Sequence, residues 1–324
     1  MQNIIDRGSK KIWVRKGDRN TDFFHQAILK RTRKNRISSI QDTQGNTTAD
    51  AHQIGTVFID YFANLFKTQC PPQQIHLHRQ PNQVPITDEF TASIPDKQEI
   101  RTILQEMKRD ASPGLDGLNV AFYRAAWQWI SGDITNLIDD FYKTGTLPQH
   151  TNNTYIVLIP KRVNCLTPQD YRPISPCNVF YKIVAKSLAQ RIKHHLPHLI
   201  HPSQHAFVKG RHITSNIILA QEITHSFQLK SWKFPGFMLK LNLAKAFDRL
   251  EWSFVAQALR RQGFHAHFID LIHCCISTAS FSVLVWSSFL GLLVLRGEYV
   301  KVALYPRTCL FLQSMNFLFV SRKL

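Results

Sequence analysis

The chain has 324 residues, of which 44% are hydrophobic, so it can bury the core of one large domain or of two smaller ones. Its 40 lysines and arginines against 22 aspartates and glutamates give a formal net charge of +18. This balance favours a polyanionic partner, nucleic acid ahead of a membrane surface.

Cysteine use and hydropathy favour an intracellular protein that does not span a membrane. None of the six cysteines forms a C-x-x-C pair, which favours a reducing compartment, nuclear or cytoplasmic. Residues 1–19 are polar and charged, unlike a secretory signal. The apolar run 281–295 is shorter than a typical membrane span of about 20 residues and contains serines.

The first part of the chain divides by composition. We predict a basic helical linker region at residues 1–70, followed by a flexible linker at 71–95 that is rich in proline, glutamine and histidine. A helix begins after Asp96, which can cap it, and stops before the turn at residues 112–117. Its apolar residues share one face and are Ile100, Ile103, Leu104 and Met107.

The remaining elements alternate between helices and short strands. Periodicity predicts helices at residues 122–141, 178–195, 213–229 and 265–276, and strands at 155–160, 170–175, 237–243 and 280–285. In the helix at 213–229, the spacing predicts that Ile213, Ile217, Ala220 and Phe227 face inward. The pattern indicates a mixed α/β, helix-rich fold.

Several motifs occur in one order along the chain. They are W-V-R-K-G-D-R-N-T-D-F-F-H at 13–25, S-P-G-L-D-G at 112–117, Q-H-A-F-V-K-G-R at 204–211 and L-N-L-A-K-A-F-D at 241–248. Together they resemble the reverse transcriptases of plant-type non-LTR (LINE-type) retrotransposons. The resemblance implies a right-hand polymerase fragment, with fingers at residues 96–235 and an incomplete palm at 236–294.

The resemblance also implies roles for single residues. Arg172, with Lys161 second, would bind the triphosphate of the incoming dNTP, and Phe247 would exclude the ribose 2′-hydroxyl. Three residues would lie at the template: Gln204, Gly210 and Arg211. The implied reaction is DNA synthesis on an RNA template from a DNA primer, with Mg²⁺ as the cofactor.

Asn242 stands where the family has an aspartate that binds the catalytic Mg²⁺. An asparagine offers one neutral carbonyl, whereas Mg²⁺ prefers charged oxygen ligands. If the change weakens transition-state stabilisation by about 4 kcal/mol, the rate falls about a thousandfold. The sequence therefore predicts a catalytically inactive remnant of a reverse transcriptase. Two alternatives stay open: a non-catalytic nucleic-acid-binding protein that keeps the basic fingers surface, and a polymerase that takes its missing carboxylates from a partner chain.

Residues 295–324 depart from the family pattern and are predicted to be an out-of-frame tail. With permitted synonymous codons, residues 295–317 can be written so that a shifted frame reads SRGIRQGCPLSPYLFILAVNEL, which resembles the segment expected at this point. A frame slip near residues 292–295 explains both sequences, and it implies a truncated palm without the paired catalytic aspartates. The nucleotide sequence tests this: a shifted frame without the motif contradicts it.

Histidines cluster near the end of the helix predicted at 178–195, at His194, His195, His198 and His201. Their spacings of three and four residues would suit zinc. No acidic residue or cysteine joins them, and basic residues lie close by, so a helix end that faces nucleic acid is the favoured interpretation.

Overall fold

The structure, a computed structural model, describes residues 26, 29–30, 33, 35–66, 86, 89–205, 208–228, 250–285 and 288–293. The helices in chain order are α1 Ala51–Leu65, α2 Glu89–Ala92, α3 Lys97–Glu106, α4 Val120–Ala125, α5 Trp127–Thr144, α6 Val179–Leu199, α7 Ile213–Gln228, α8 Trp252–Arg261 and α9 Ala266–Ser277. The strands are β1 Ile40–Gln41, β2 Thr47–Thr48, β3 Asn153–Pro160, β4 Tyr171–Ile174, β5 Ser280–Val285 and β6 Ser288–Leu293.

The strands form two sheets. One is the β1–β2 hairpin, and the other has the order β4-β3-β5-β6 with β3 and β4 antiparallel. The chain divides into two compact units. The first consists of Met1–Phe58, Val157–Ile174 and Leu284–Leu290, and the second of Ile59–Ile156, Ser175–Val283 and Gly291–Leu324.

The first unit is held together around the β1–β2 hairpin. The Asp42 carboxylate accepts backbone N–H groups in the turn between the two strands, which fixes its shape. The backbone N–H of Gln41 donates to the Leu166 carbonyl at 2.7 Å. The buried ring of Phe58 lies edge-on to Tyr171, with their centroids 5.2 Å apart. These contacts join the hairpin to the segment before β4, and α1 to β4 itself.

The core of the second unit is centred on α6, which buries residues on most of its surface. Helix α3 packs against it with Ile100, Ile103 and Leu104 fully buried, as the sequence predicted. The Asp96 side chain accepts the backbone N–H of Glu99 at 2.6 Å, which confirms its role as the N-cap. This helix is positioned by the apolar spacing and the cap that the sequence displays.

The structure alters two of the predicted helices. Helix α6 continues through Pro197 to Leu199 instead of ending near His195. The inward orientation predicted for two residues of α7 is wrong, because Ile213 is 61% exposed and Ile217 is 53% exposed. Helical spacing identifies an apolar face, but it does not show whether another element covers that face.

Within the described ranges, every helix is too short or too polar to span a bilayer.

Candidate functional site

Strands β3 and β4 form a hairpin with one buried and one open face. Their register pairs Arg172 with Ile159, so these side chains lie on the same face. Lys161 directly follows the last residue of β3 and is exposed. The opposite face carries Leu158 and Tyr171, which are buried. The two predicted phosphate-binding cations therefore lie on the solvent-facing side of the hairpin.

The loop between these strands is held by its own hydrogen bonds. The backbone N–H of Lys161 donates to the Asp170 carbonyl at 2.8 Å, and its Nζ donates to the Gln169 carbonyl at 2.5 Å. The Arg162 guanidinium lies 2.9 Å from Asp170 Oδ1. Burial alone would raise the pKa of Asp170, but hydrogen bonds from the Thr167 hydroxyl and backbone, together with the charge of Arg162, lower it. The loop is therefore a structured turn closed around Asp170.

Arg172 is exposed like Lys161 and Arg162, but it differs from them because its guanidinium has no hydrogen-bond or ion-pair partner in the part of the chain described. Lys161 and Arg162 each have a partner within the loop. An arginine fork can make two parallel hydrogen bonds to a phosphate, while a lysine acts as a point charge. Arg172 can thus bind an anion without breaking any contact within the described ranges.

The loop that follows α6 is organised by the side chain of Arg211. Its Nη1 donates to the carbonyls of His201 at 2.7 Å and Gln204 at 2.8 Å. Its Nη2 donates to the carbonyls of Pro197 at 2.9 Å and Ile200 at 3.0 Å. A cation at the C-terminal end of a helix satisfies carbonyls that have no partner within the helix. Arg211 therefore caps α6 and closes the loop behind it.

Gly210 makes the turn that returns the chain to α6. It adopts a φ of +82°, a region that glycine enters without steric cost. The carbonyl of Gln204 is one of the acceptors of Arg211, so the structure brings together the three residues predicted to lie at the template. The guanidinium of Arg211 is occupied within the loop, and its contact with a template stays a prediction.

The S-P-G-L-D-G turn packs against the first turn of α6, a contact that sequence reasoning missed. A Cβ added at Gly114 would lie 2.4 Å from the backbone nitrogen of Asn178 and 2.6 Å from its Cα. Lys182, one turn further along α6, donates from Nζ to the Ser112 carbonyl at 2.9 Å, and burial lowers its pKa. The glycine in the motif was the only local signal of this close approach.

The clustered histidines take part in packing contacts. The Nε2 of His195 lies 2.8 Å from Thr91 Oγ1, and the ring of His194 lies edge-on to Phe90 with centroids 5.9 Å apart. Among the residues that the structure describes, no three His, Cys, Asp or Glu side chains are grouped to hold a metal ion. The orientation of this helix end toward nucleic acid stays a prediction.

Several predicted features lie outside the described residues. They are the motif at 13–25, the strand at 237–243 with Asn242, Phe247 and the tail at 295–324. The domain boundaries expected at residues 70, 95, 235 and 294 likewise stay predictions.

Comparison with known proteins shows what kind of domain carries this hairpin and loop. Residues 159–292 match the family described as reverse transcriptase (RNA-dependent DNA polymerase). This part of the chain is a reverse transcriptase domain of mixed helix and sheet, and it contains all seven predicted site residues.

Relatives come from transposable elements. The chain is 26% identical over 345 aligned residues to the transposon TX1 uncharacterized 149 kDa protein of Xenopus laevis, across 98% of this chain and 26% of that protein. It is 29% identical over 160 residues to the retrovirus-related Pol polyprotein from type-1 retrotransposable element R2 of Nasonia vitripennis, across 49% of this chain and 15% of the relative. These matches confirm the predicted relationship to non-LTR retrotransposon reverse transcriptases. The chain spans about a quarter or less of the length of these curated relatives.

Proposed function

We propose that the chain is the fingers and part of the palm of a plant-type non-LTR retrotransposon reverse transcriptase that binds nucleic acid but no longer polymerises. The carrying observation is Arg172, an exposed arginine on the open face of the β3–β4 hairpin that has no partner among the residues the structure describes. A guanidinium with no partner in the described ranges suits binding of a phosphate group, because none of the described contacts must be broken.

In the proposed reaction of intact relatives, a primer 3′-hydroxyl attacks the α-phosphate of a dNTP and pyrophosphate leaves. Arg172 binds the triphosphate through two parallel hydrogen bonds, with Lys161 as a second cation. Phe247 excludes the 2′-hydroxyl of a ribonucleotide. The loop with Gln204 lies along the RNA template, and Arg211 holds that loop in shape through four backbone carbonyls.

We attribute the proposed loss of polymerisation to Asn242 and to the frame slip proposed near residues 292–295. Two Mg²⁺ ions would supply stabilisation of the attacking and leaving oxygens. A neutral asparagine carbonyl does not fit the charged, hard oxygen set that Mg²⁺ prefers. The donor set of this chain therefore fits the metal poorly, and the proposed remnant retains binding surfaces without efficient phosphoryl transfer.

Primer extension on an RNA template tests this proposal. We expect no dNTP incorporation by the chain as it stands or by Asn242→Asp alone, with Mg²⁺ or Mn²⁺. We expect primer extension by a chain that combines Asn242→Asp with a second change. In that second change, the shifted reading frame is restored after the slip and translated onward. Incorporation above background by the unaltered chain would overturn the assignment as inactive.

A second candidate is a nucleic-acid-binding protein with no polymerase role. It is favoured by the open cationic hairpin, which is independent of residue 242, and by the net charge of +18. If the frame-restored chain still fails to extend a primer but the original chain binds RNA with a steep salt dependence, this second function is supported.

A further inference from the structure

Helix α5 presents an exposed tryptophan that has no role in the proposed polymerase function. Trp129 is 81% exposed, the highest value among the exposed large apolar side chains of the described residues. No aromatic or cationic side chain in the described ranges stacks on it. Tryptophan is among the residues that contribute most to the affinity of protein interfaces.

Two carboxylates lie on the same face of α5 as this tryptophan. Trp129, Asp133 and Asp140 occupy helical positions i, i+4 and i+11, which form one stripe about 16 Å long. Both aspartates are exposed, and among the described residues no cation forms a salt bridge with either. Lys143 on the same helix forms its salt bridge with Asp139 at 2.6 Å, and its pKa is raised by Asp139 and, to a smaller extent, by the charge of Asp140.

This combination is unusual in a chain with a net charge of +18. The carboxylates of Asp133 and Asp140 repel the phosphates of nucleic acid and attract lysine and arginine. A tryptophan face attracts the same cations through its ring quadrupole. At about 0.15 M ionic strength the screening length is about 8 Å. The binding of a ligand that contacts the stripe therefore depends on the charges of the stripe and not on the distant positive charge of the chain.

We propose that the stripe formed by Trp129, Asp133 and Asp140 docks a lysine- and arginine-rich segment of a partner protein. A basic side chain stacks on the indole of Trp129 while further cations of the segment pair with the two aspartates. This surface is separate in residues and in charge from the cationic hairpin and loop of the proposed reverse transcriptase site. The proposal does not depend on whether that site is active.

The test uses the full chain and a fluorescein-labelled peptide of alternating arginine and serine, followed by anisotropy at about 0.15 M salt. A matched peptide with glutamine at every arginine is the ligand control. The variants are Trp129→Ala and the double change Asp133→Asn with Asp140→Asn. The matched control is Glu222→Gln with Asp270→Asn, which removes the same charge from exposed positions on α7 and α9.

We expect the arginine peptide to bind, the glutamine peptide not to bind, and each stripe variant to lose about tenfold in affinity. The control double variant should stay within about twofold of the original chain, since it leaves the stripe intact. Equal losses in the control and the stripe variants would show long-range electrostatics only and would overturn the proposal. Absence of binding, or loss of RNA binding in Trp129→Ala without loss of peptide binding, would also overturn it.

Discussion

Arg191 and Glu99 form a buried two-point ion pair that joins α6 to α3, with Nη1–Oε1 at 2.7 Å and Nη2–Oε2 at 3.3 Å. The Arg191 side chain is fully buried. It also donates to the carbonyls of Ser93 at 3.0 Å and Ser187 at 3.1 Å, and its guanidinium lies 5.0 Å from the ring centroid of Phe90. A charge in the core is tolerated here because its hydrogen-bonding groups are satisfied.

Replacement of Glu99 by glutamine should destabilise the protein, because it leaves the Arg191 charge buried without a counter-charge. Breaking a fully buried pair costs about 3–5 kcal/mol, and the partial exposure of Glu99 reduces our expectation to about 2 kcal/mol. Urea unfolding measures the change. Asp139→Asn removes an exposed i,i+4 pair and should cost less than about 0.5 kcal/mol. Equal effects of the two variants would contradict the structural role of the Arg191 pair.

Gly114→Ala should destabilise the second unit. The new methyl group would lie 2.0 Å from Asn178 Oδ1 and closer than contact distance to its backbone, so the turn must move away from α6. We expect a loss of about 2 kcal/mol in the free energy of unfolding. Gly132→Ala in α5 meets no atom within 4 Å and should stabilise the helix by about 0.5–1 kcal/mol. A neutral Gly114→Ala variant would rule out this close packing.

Arg172 and Arg211 should respond differently when each is replaced by glutamine in a binding assay with single-stranded RNA. If Arg172 contacts a phosphate, its loss reduces the slope of log K against log salt by about 0.7. Arg211→Gln should weaken binding without changing this slope, because its guanidinium holds carbonyls of the loop. It should also speed proteolysis between residues 201 and 211. Arg101→Gln, at an exposed position on α3, is the charge control.

The loop closed by Asp170 should loosen in acid. The pKa of Asp170 is lowered from 3.8 in the folded chain, so its carboxylate contributes stability above about pH 4 that is lost as the pH falls through the folded pKa. The amide proton shift of Thr167, which donates to this carboxylate at 3.2 Å, should follow that titration. Asp170→Asn should abolish the titration. A midpoint above 3.8 would contradict the lowered pKa.

Local pattern was sufficient to predict most of the secondary structure in the described residues. The cap at Asp96, the apolar spacing of α3 and the two strands of the hairpin are all short-range features, and each appears where it was predicted. The extension of α6 past Pro197 was missed because the group that caps its end comes from Arg211, fourteen residues further along the chain. Local pattern contains no information about such a partner.

The sequence by itself determined the relationship to reverse transcriptases and the set of candidate site residues, because ordered motifs and charge are properties of the chain. Only the tertiary structure decided which of these residues are available. It places Arg172 in solvent and commits Arg211 to four carbonyls, although the same family resemblance implied a binding role for both arginines. The physical reason is that a hydrogen bond depends on the distance between two groups in space, which folding sets through segments remote in sequence.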